Sequence, residues 1–436
     1  MTDPSKIKVP GPKPESLPEG EPIARMTKLT TQPEPLDLNN FPHIRERKDG
    51  SVRPKCTIEN VQALLDGYEI KVSYNGITKE LVIHIPGLKV MSDNYHNTAI
   101  EIINSLAALN DITITQVSKY VGVIADRNLV NPVADWITSV PWDGKNRLPE
   151  ICDTLTTQED YPGDFKDLLL KKWLISAVAA ATLPSGFHSR GILTLQGPQG
   201  CGKTSWVRNL VPDGLLRDNV ILTGHHLDPS NKDSLTTAIK HWIVEIGELD
   251  SSFRKDIARL KGFITQEKDK VRRPYARTDS EYQRRTVFVA TVNEVSFLID
   301  KTGNSRFWVI PIISIDYGHK IDMQQVFAQL KINLDAGASW WLTPEEDVQL
   351  EALNRDHRAV SVLEEKLIDA FDSDLPLDRW SNLSATEVLE YLGYQRPANP
   401  LCRECGGILR EHFGPPKMSQ GIAKWKVPLP AKIHRV

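Results

Sequence analysis

One stretch limits this chain more than any other. Gly197-Pro-Gln-Gly-Cys-Gly-Lys-Thr204 satisfies G-x-x-x-x-G-K-[ST] at every fixed position. The apolar run Ile192-Leu-Thr-Leu-Gln196 precedes it, and Ser205-Trp-Val-Arg-Asn-Leu210 reads as the helix that follows. Strand, glycine turn and helix in that order form a cradle for phosphate. Glycine lets successive N–H groups turn inward, and the start of a helix adds partial positive charge. Gly197, Pro198, Gln199, Gly200, Cys201, Gly202, Lys203, Thr204 and Ser205 are the expected nucleotide contacts. Lys203 should reach the β- and γ-phosphates of ATP, and the Thr204 hydroxyl should ligate Mg²⁺.

A phosphate loop of this kind requires a sheet around it. Apolar runs at 191–195, 242–246, 286–292 and 307–313 alternate with helical patterns. Alternation of that sort predicts an α/β fold with a parallel sheet covered on both faces.

The loop also requires carboxylates at the end of a neighbouring strand. His241-Trp-Ile-Val-Glu-Ile-Gly-Glu-Leu-Asp250 supplies Glu245 and Glu248. Open α/β sheets bind ligands at the C-terminal ends of their strands, where both would stand. Glu245 is placed nearer the metal and Glu248 is preferred as the base that orients water. The β-branched run ending at Val292 is followed by Asn293, a polar sensor of the γ-phosphate. Gly303-Asn-Ser-Arg306 precedes the next strand, and Arg306 is the expected arginine finger, with Arg284 and Arg285 as competitors.

Whole-chain charge predicts no polyanion partner: 53 Lys+Arg stand against 56 Asp+Glu in 436 residues, a net charge of −3. The local picture differs. Residues 254–285 carry eleven Lys/Arg and five Asp/Glu. Within them, Lys268-Asp-Lys-Val-Arg-Arg-Pro-Tyr-Ala-Arg277 interleaves cations with a ring, as a loop gripping nucleic-acid phosphates and stacking on a base would.

Composition is that of an ordinary globular chain, with 40% hydrophobic and 25% charged residues. Five cysteines, an odd and low number, and an N-terminus without an apolar core suggest a reducing cytoplasmic setting. Trp173-Leu-Ile-Ser-Ala-Val-Ala-Ala-Ala-Thr-Leu183 is well short of the roughly 20 apolar residues of a spanning helix, so no membrane role is expected.

Four regions are expected. Residues 1–56 are a Pro-, Lys- and Glu-rich flexible tail. Residues 57–188 form a mixed, mainly helical domain with a hairpin turning at Asn75-Gly76. Within it, Asn131-Pro-Val-Ala-Asp-Trp136 and Pro141-Trp-Asp-Gly-Lys-Asn-Arg147 read as a packed loop between helices. Residues 189–340 hold the ATPase core. Residues 341–436 begin with a charged helical stretch, 345–370, and end in a small module of helices and a short β element, resembling a winged helix. Cys402 and Cys405 are only two of the about four ligands a zinc site needs, so none is expected.

The order GPQGCGKT, Glu-x-x-Glu, LKGFIT, VRRPYAR, VFVATVN and GNSRFW, together with PVADWITSVPWDGKNRL upstream, resembles the virulence-associated protein E family over residues 57–315. These are phage and prophage proteins of the superfamily 3 helicase type within the AAA+ class. The resemblance implies an AAA+ core in a homo-oligomeric ring, a hexamer, that moves on DNA in phage replication, with replication proteins as further partners. By motif match, Lys203 and Thr204 serve the phosphates and metal, Glu245 and Glu248 are the acidic pair, Asn293 is the sensor and Arg306 the finger. Lys261, Lys270, Arg272, Arg273 and Tyr275 fall in the stretch such helicases direct at DNA. Residues 1–56 are too short for the primase domain that some members carry.

Overall fold

The computed structural model describes residues 33–88, 94–247, 257–271, 280–298, 304–357, 362–372 and 374–429. The chain divides into two compact units, 1–131 and 132–436. The boundary expected at 188/189 thus lies inside the second unit.

In the first unit, the helix Ile58–Gly67 begins at Thr57, whose hydroxyl accepts the Asn60 N–H. Strands Lys71–Asn75 and Glu80–His84 pair antiparallel around the Asn75-Gly76 turn. The Asn75 side chain holds that turn by accepting the N–H groups of Ile77 and Thr78. Leu129–Val130 adds a third, parallel strand beside the helices Tyr95–Leu109 and Val117–Asp126. Within the stretch expected as a tail, Phe41 is buried and strands Ile44–Glu46 and Val52–Pro54 pair antiparallel, so residues 41–54 are structured. Val61, Leu64, Ile103, Val121 and Ile124 are fully buried, as the apolar spacing of these helices dictates.

The second unit is built on six strands: β1 (Leu155–Thr157), β2 (Ile192–Gln196), β3 (Ile221–His225), β4 (Ile243–Gly247), β5 (Val287–Val292) and β6 (Phe307–Ile315). Their spatial order is β1-β6-β2-β5-β4-β3. All neighbours are parallel except β1, which runs antiparallel against β6. The central strands read as continuous apolar runs because both faces are covered. The strand β1 comes from the segment upstream of residue 188 and closes one edge of the sheet.

Two helices position that sheet. Helix α1 (Gly163–Thr182) holds the Trp173–Leu183 run up to its C-cap, Leu183, and buries every residue from Trp173 to Ala181. No helix is long and apolar enough to cross a membrane among the described residues. The indole of Trp173 donates to the Phe288 carbonyl on β5, and that of Trp242 donates to the Ala177 carbonyl on α1. Each fully buried indole removes about 150–250 Å² from water, on the order of 4–6 kcal/mol before entropy is counted. Helix α2 (Lys203–Asn209) starts directly from the glycine loop.

The segment 132–147 is packed as expected, but it is not all loop: Pro132–Ile137 is a helix. Trp136 lies 5.4 Å from Phe327 and 6.4 Å from Trp242, ring centre to ring centre. Gln325 and Gln329 of the helix Met323–Asp335 accept the N–H groups of Asp143 and Arg147. Arg147 grips Asp143 with two bonds of 2.7 and 2.6 Å, and that hydrogen-bonded ion pair holds the Asp143 carboxyl far below its usual range.

The stretch 345–370, expected as helical, is two helices, Pro344–Asn354 and Val362–Ala370. A tight turn, Arg355–His357, ends the first. Its His357 carbonyl accepts the N–H groups of Phe297 and Leu298, which draws the chain back to the loop beyond β5.

The last region has its own core of Leu363, Leu367, Val388, Leu389, Cys405, Ile408, Leu409, Trp425 and Val427. Its elements follow the order helix Val362–Ala370, strand Ser381–Ser384, helix Ala385–Tyr391, helix Asn399–Phe413, strands Lys417–Ser419 and Ile422–Val427. Cys405 is part of that core, and no cluster of three or more His, Cys, Asp and Glu able to hold a metal occurs among the described residues.

Candidate nucleotide site

The loop 197–204 leaves the C-terminal end of β2 and enters α2. Two glycines there have a visible cause. A Cβ at Gly197 would stand 2.4 Å from the Ile312 carbonyl oxygen of β6. Gly202 has φ +96°, and a Cβ on it would strike the ring of Tyr317. Any larger residue would force loop and sheet apart.

Lys203 is buried to 7% exposure at the first turn of α2. Its ammonium donates to the carbonyls of Gly197 and Pro198, each at 2.8 Å, and to Asn293 Oδ1 at 3.0 Å. Cys201 Sγ lies 3.9 Å away. The expected sensor and the phosphate-loop lysine are therefore in direct contact.

Glu245 sits on β4 with only 1% exposure. Its Oε1 accepts from the Thr204 hydroxyl at 2.5 Å and the Thr291 hydroxyl at 2.9 Å, and its Oε2 accepts the Gly224 N–H at 3.0 Å. Hydrogen bonds to an ionised partner contribute about 1.5–3 kcal/mol each, and a buried carboxylate without them would be costly. Thr291 was not singled out from the sequence. Register explains its role: Val289 pairs with Glu245 and Thr291 with Gly247, so Thr291 stands diagonally from Glu245 on the same face. The bend that turns the Gly224 N–H towards Glu245 lies at the irregularity between Leu222 and His225 on β3. Beside it, burial pulls His225 below the usual imidazole range. Glu248 lies outside the described residues.

Tyr317, which follows β6, is a second residue that motif reading missed. Its ring lies against Gly202, and its carbonyl accepts from the Asn209 side chain on α2. A cavity of about 380 Å³ opens beside the loop, lined by Gln196, Gly197, Pro198 and Asn293 and walled by Tyr161 and His357.

Arg306 stands at the other end of β6. Phe307 pairs with Ile192 and Pro311 with Gln196, so Arg306 is five residues, or about 16 Å, from the level of Gln196, where β2 ends and the glycine loop follows. Its buried Nε has no partner among the described residues. The competitors are committed elsewhere. Arg284, fully buried, makes bonds of 2.8 and 2.5 Å to Asp269 and stacks on Phe263. Arg285 donates to the carbonyls of Ala180, Ala181 and Leu183 at the end of α1.

The basic segment is a hairpin at its root, Lys268–Val271 paired antiparallel with Ser280–Gln283. Lys270 is exposed. Lys261, on the helix Ile257–Ile264, is buried to 8% exposure, so its ammonium-bearing side chain is not offered to solvent. Arg272, Arg273 and Tyr275 lie outside the described residues.

A mixed α/β unit with a mostly parallel sheet and a glycine-rich loop at the C-terminal edge of that sheet is the class this geometry defines. Residues 137–359, just over half the chain, match the virulence-associated protein E-like domain, and the chain belongs to that family. No curated protein matches. Among solved structures, similar chains include the apo structure of the NrS-1 C-terminal region (305–718), at 15% identity and a TM-score of 0.35, covering 84% of this chain and 98% of that one. The A form of that region gives 14% identity and 0.38, with the same coverage.

Proposed function

We propose that this protein is an ATP-driven DNA helicase or translocase of phage or prophage replication, with an AAA+ core that hydrolyses ATP between subunits of a ring. The observation that carries the reading is the junction of Lys203 with Asn293 beside Thr204, Glu245 and Thr291, all at one edge of the sheet. The strand order of the five parallel members, β6-β2-β5-β4-β3, suits such a core.

In this reading the N–H groups of the loop and the α2 terminus hold the phosphates, and Lys203 neutralises the β- and γ-phosphate charge. The Thr204 hydroxyl and the Glu245 carboxylate are hard oxygen donors 2.5 Å apart, a set suited to Mg²⁺, which is bound by one or two carboxylates plus phosphates and water. Mg²⁺ would supply neutralisation of the charge that develops on the phosphoryl oxygens. Asn293 orients the γ-phosphate and the water that attacks it, with Glu248 as the base. Arg306, too far from its own loop, acts on ATP held by the neighbouring subunit. That division of labour requires an oligomer, in this reading a hexameric ring.

DNA contact is assigned to the basic hairpin through Lys270, Arg272, Arg273 and Tyr275. Lys261, enclosed in the protein, is not among these contacts. Replication proteins are further partners in this reading, and the bacterial cytoplasm is its setting.

The decisive experiment is strand displacement on a forked duplex with ATP and Mg²⁺, using Lys203→Ala as control. ATP-dependent displacement supports the proposal. DNA-stimulated turnover without displacement would instead indicate an ATPase switch or loader.

A further inference from the structure

The C-terminal region carries charge that the ATPase reading does not use. Its element order is helix, strand, helix, helix and a two-stranded hairpin, with a three-stranded antiparallel sheet ordered 381–384, 422–427, 417–419. This is the order of a winged helix, in which the longest helix enters a DNA groove and the hairpin flanks it.

The long helix Asn399–Phe413 has one clearly buried face, Cys405, Ile408 and Leu409. Arg403 and Arg410 are exposed and seven residues apart, which puts them on a common face turned away from that core. Fifteen residues span about 22 Å, enough to lie along a major groove about 12 Å wide. The hairpin closes with Gln420 at φ +52° and Gly421 at φ +78°, a tight two-residue turn between Ser419 and Ile422. Met418 is 69% exposed at that tip.

Charge is segregated within the module. Residues 399–427 contain five Lys/Arg and two Glu, whereas 362–398 contain three Lys/Arg and eight Asp/Glu. Glu404 and Glu411 each follow an arginine by one position, about 100° round the helix from it. Glu364 is buried against His412, and Glu387 caps its own helix and pairs with Lys424. On the hairpin, Lys417 stands directly opposite Lys424, and Lys426 follows two residues on. Because Lys424 is already paired with Glu387, the exposed Lys417 and Lys426 are the hairpin cations offered to an external anion.

We infer that residues 399–427 form a binding site for duplex DNA, with Arg403 and Arg410 on the groove face and Lys417 on the flanking backbone. The site is separate from the basic hairpin of the sheet domain, and it requires neither ATP nor unwinding. Its failure and the failure of the helicase reading are therefore distinct results.

The test uses the whole chain without nucleotide. Fluorescence anisotropy is recorded on a labelled duplex and on the matching single strand, across a series of salt concentrations. Arg403→Ala with Arg410→Ala is expected to weaken duplex binding about tenfold or more and to lower the salt slope by about two. Lys417→Ala should lower the slope by about one. Single-strand binding, basal ATP turnover and the melting midpoint should stay at wild-type values. Arg403→Glu with Arg410→Glu, measured alongside, should abolish the duplex increment. Wild-type protein that does not bind duplex, or variants that bind it with unchanged affinity and slope, would overturn the inference and leave this face to a protein partner.

Discussion

The ammonium of Lys203 donates to Oδ1 of Asn293 across 3.0 Å, joining the start of α2 to the residue that follows β5. Both groups should serve the γ-phosphate. Lys203→Ala is expected to reduce ATP turnover to background, with circular dichroism unchanged. Asn293→Ala should keep most nucleotide affinity and lose about 10²–10³ in turnover, as loss of a transition-state hydrogen-bond donor does. Steady-state phosphate release with a fluorescent nucleotide titration checks both.

Thr291→Val keeps the shape of the side chain and removes one of three donors to Glu245. A bond to a charged acceptor contributes about 1.5–3 kcal/mol. The variant should therefore unfold at lower denaturant concentration and need more Mg²⁺ for half-maximal turnover. An unchanged Mg²⁺ dependence would remove Thr291 from the metal side of the site.

Arg306→Ala should lose about 10³–10⁵ in turnover while binding nucleotide normally. Mixing it with Lys203→Ala subunits gives a sharper readout. Where an intact loop from one variant meets an intact arginine from the other, activity returns. No recovery in mixed assemblies would argue that each site is complete within one chain.

Arg284 and Asp269 form a buried pair at the base of the basic hairpin. Asp269→Asn leaves a buried cation without its counter-charge and should cost roughly 3–5 kcal/mol. Replacing both, Arg284→Met with Asp269→Leu, should recover much of that loss. Chemical denaturation measures the stability. DNA-stimulated turnover shows whether the hairpin still works when its root is apolar.

The Asp143–Arg147 pair gives a pH signature. Hydrogen bonding from Arg147 lowers the folded-state value of Asp143, so its contribution is full above the usual carboxylate range, about 3.9. It is lost as pH falls through the depressed folded value. The stability difference between wild type and Asp143→Asn should be constant from pH 7 down to about 4 and shrink only in stronger acid. A difference that vanishes already near pH 5 would contradict the pairing.

The glycine loop was legible because its geometry is local. Eight consecutive residues place Lys203 and Thr204, and the preceding apolar run supplies the strand. Asn293 was legible for a similar reason, as the first polar residue after a β-branched run. Thr291 and the Gly224 N–H were not, because their partner is set by strand register and by a local irregularity. Tyr317 escaped for the same reason, since only folding lays its ring on Gly202. Lys261 shows the converse limit: a lysine in a cationic run reads as surface until packing encloses it.

The antiparallel strand Leu155–Thr157 has a practical consequence. A recombinant fragment cut at residue 189 would lose it, along with helix α1, and bare the ladder of β6 to pairing with other copies. A soluble, independently folding fragment should begin near Pro132, where the second unit starts.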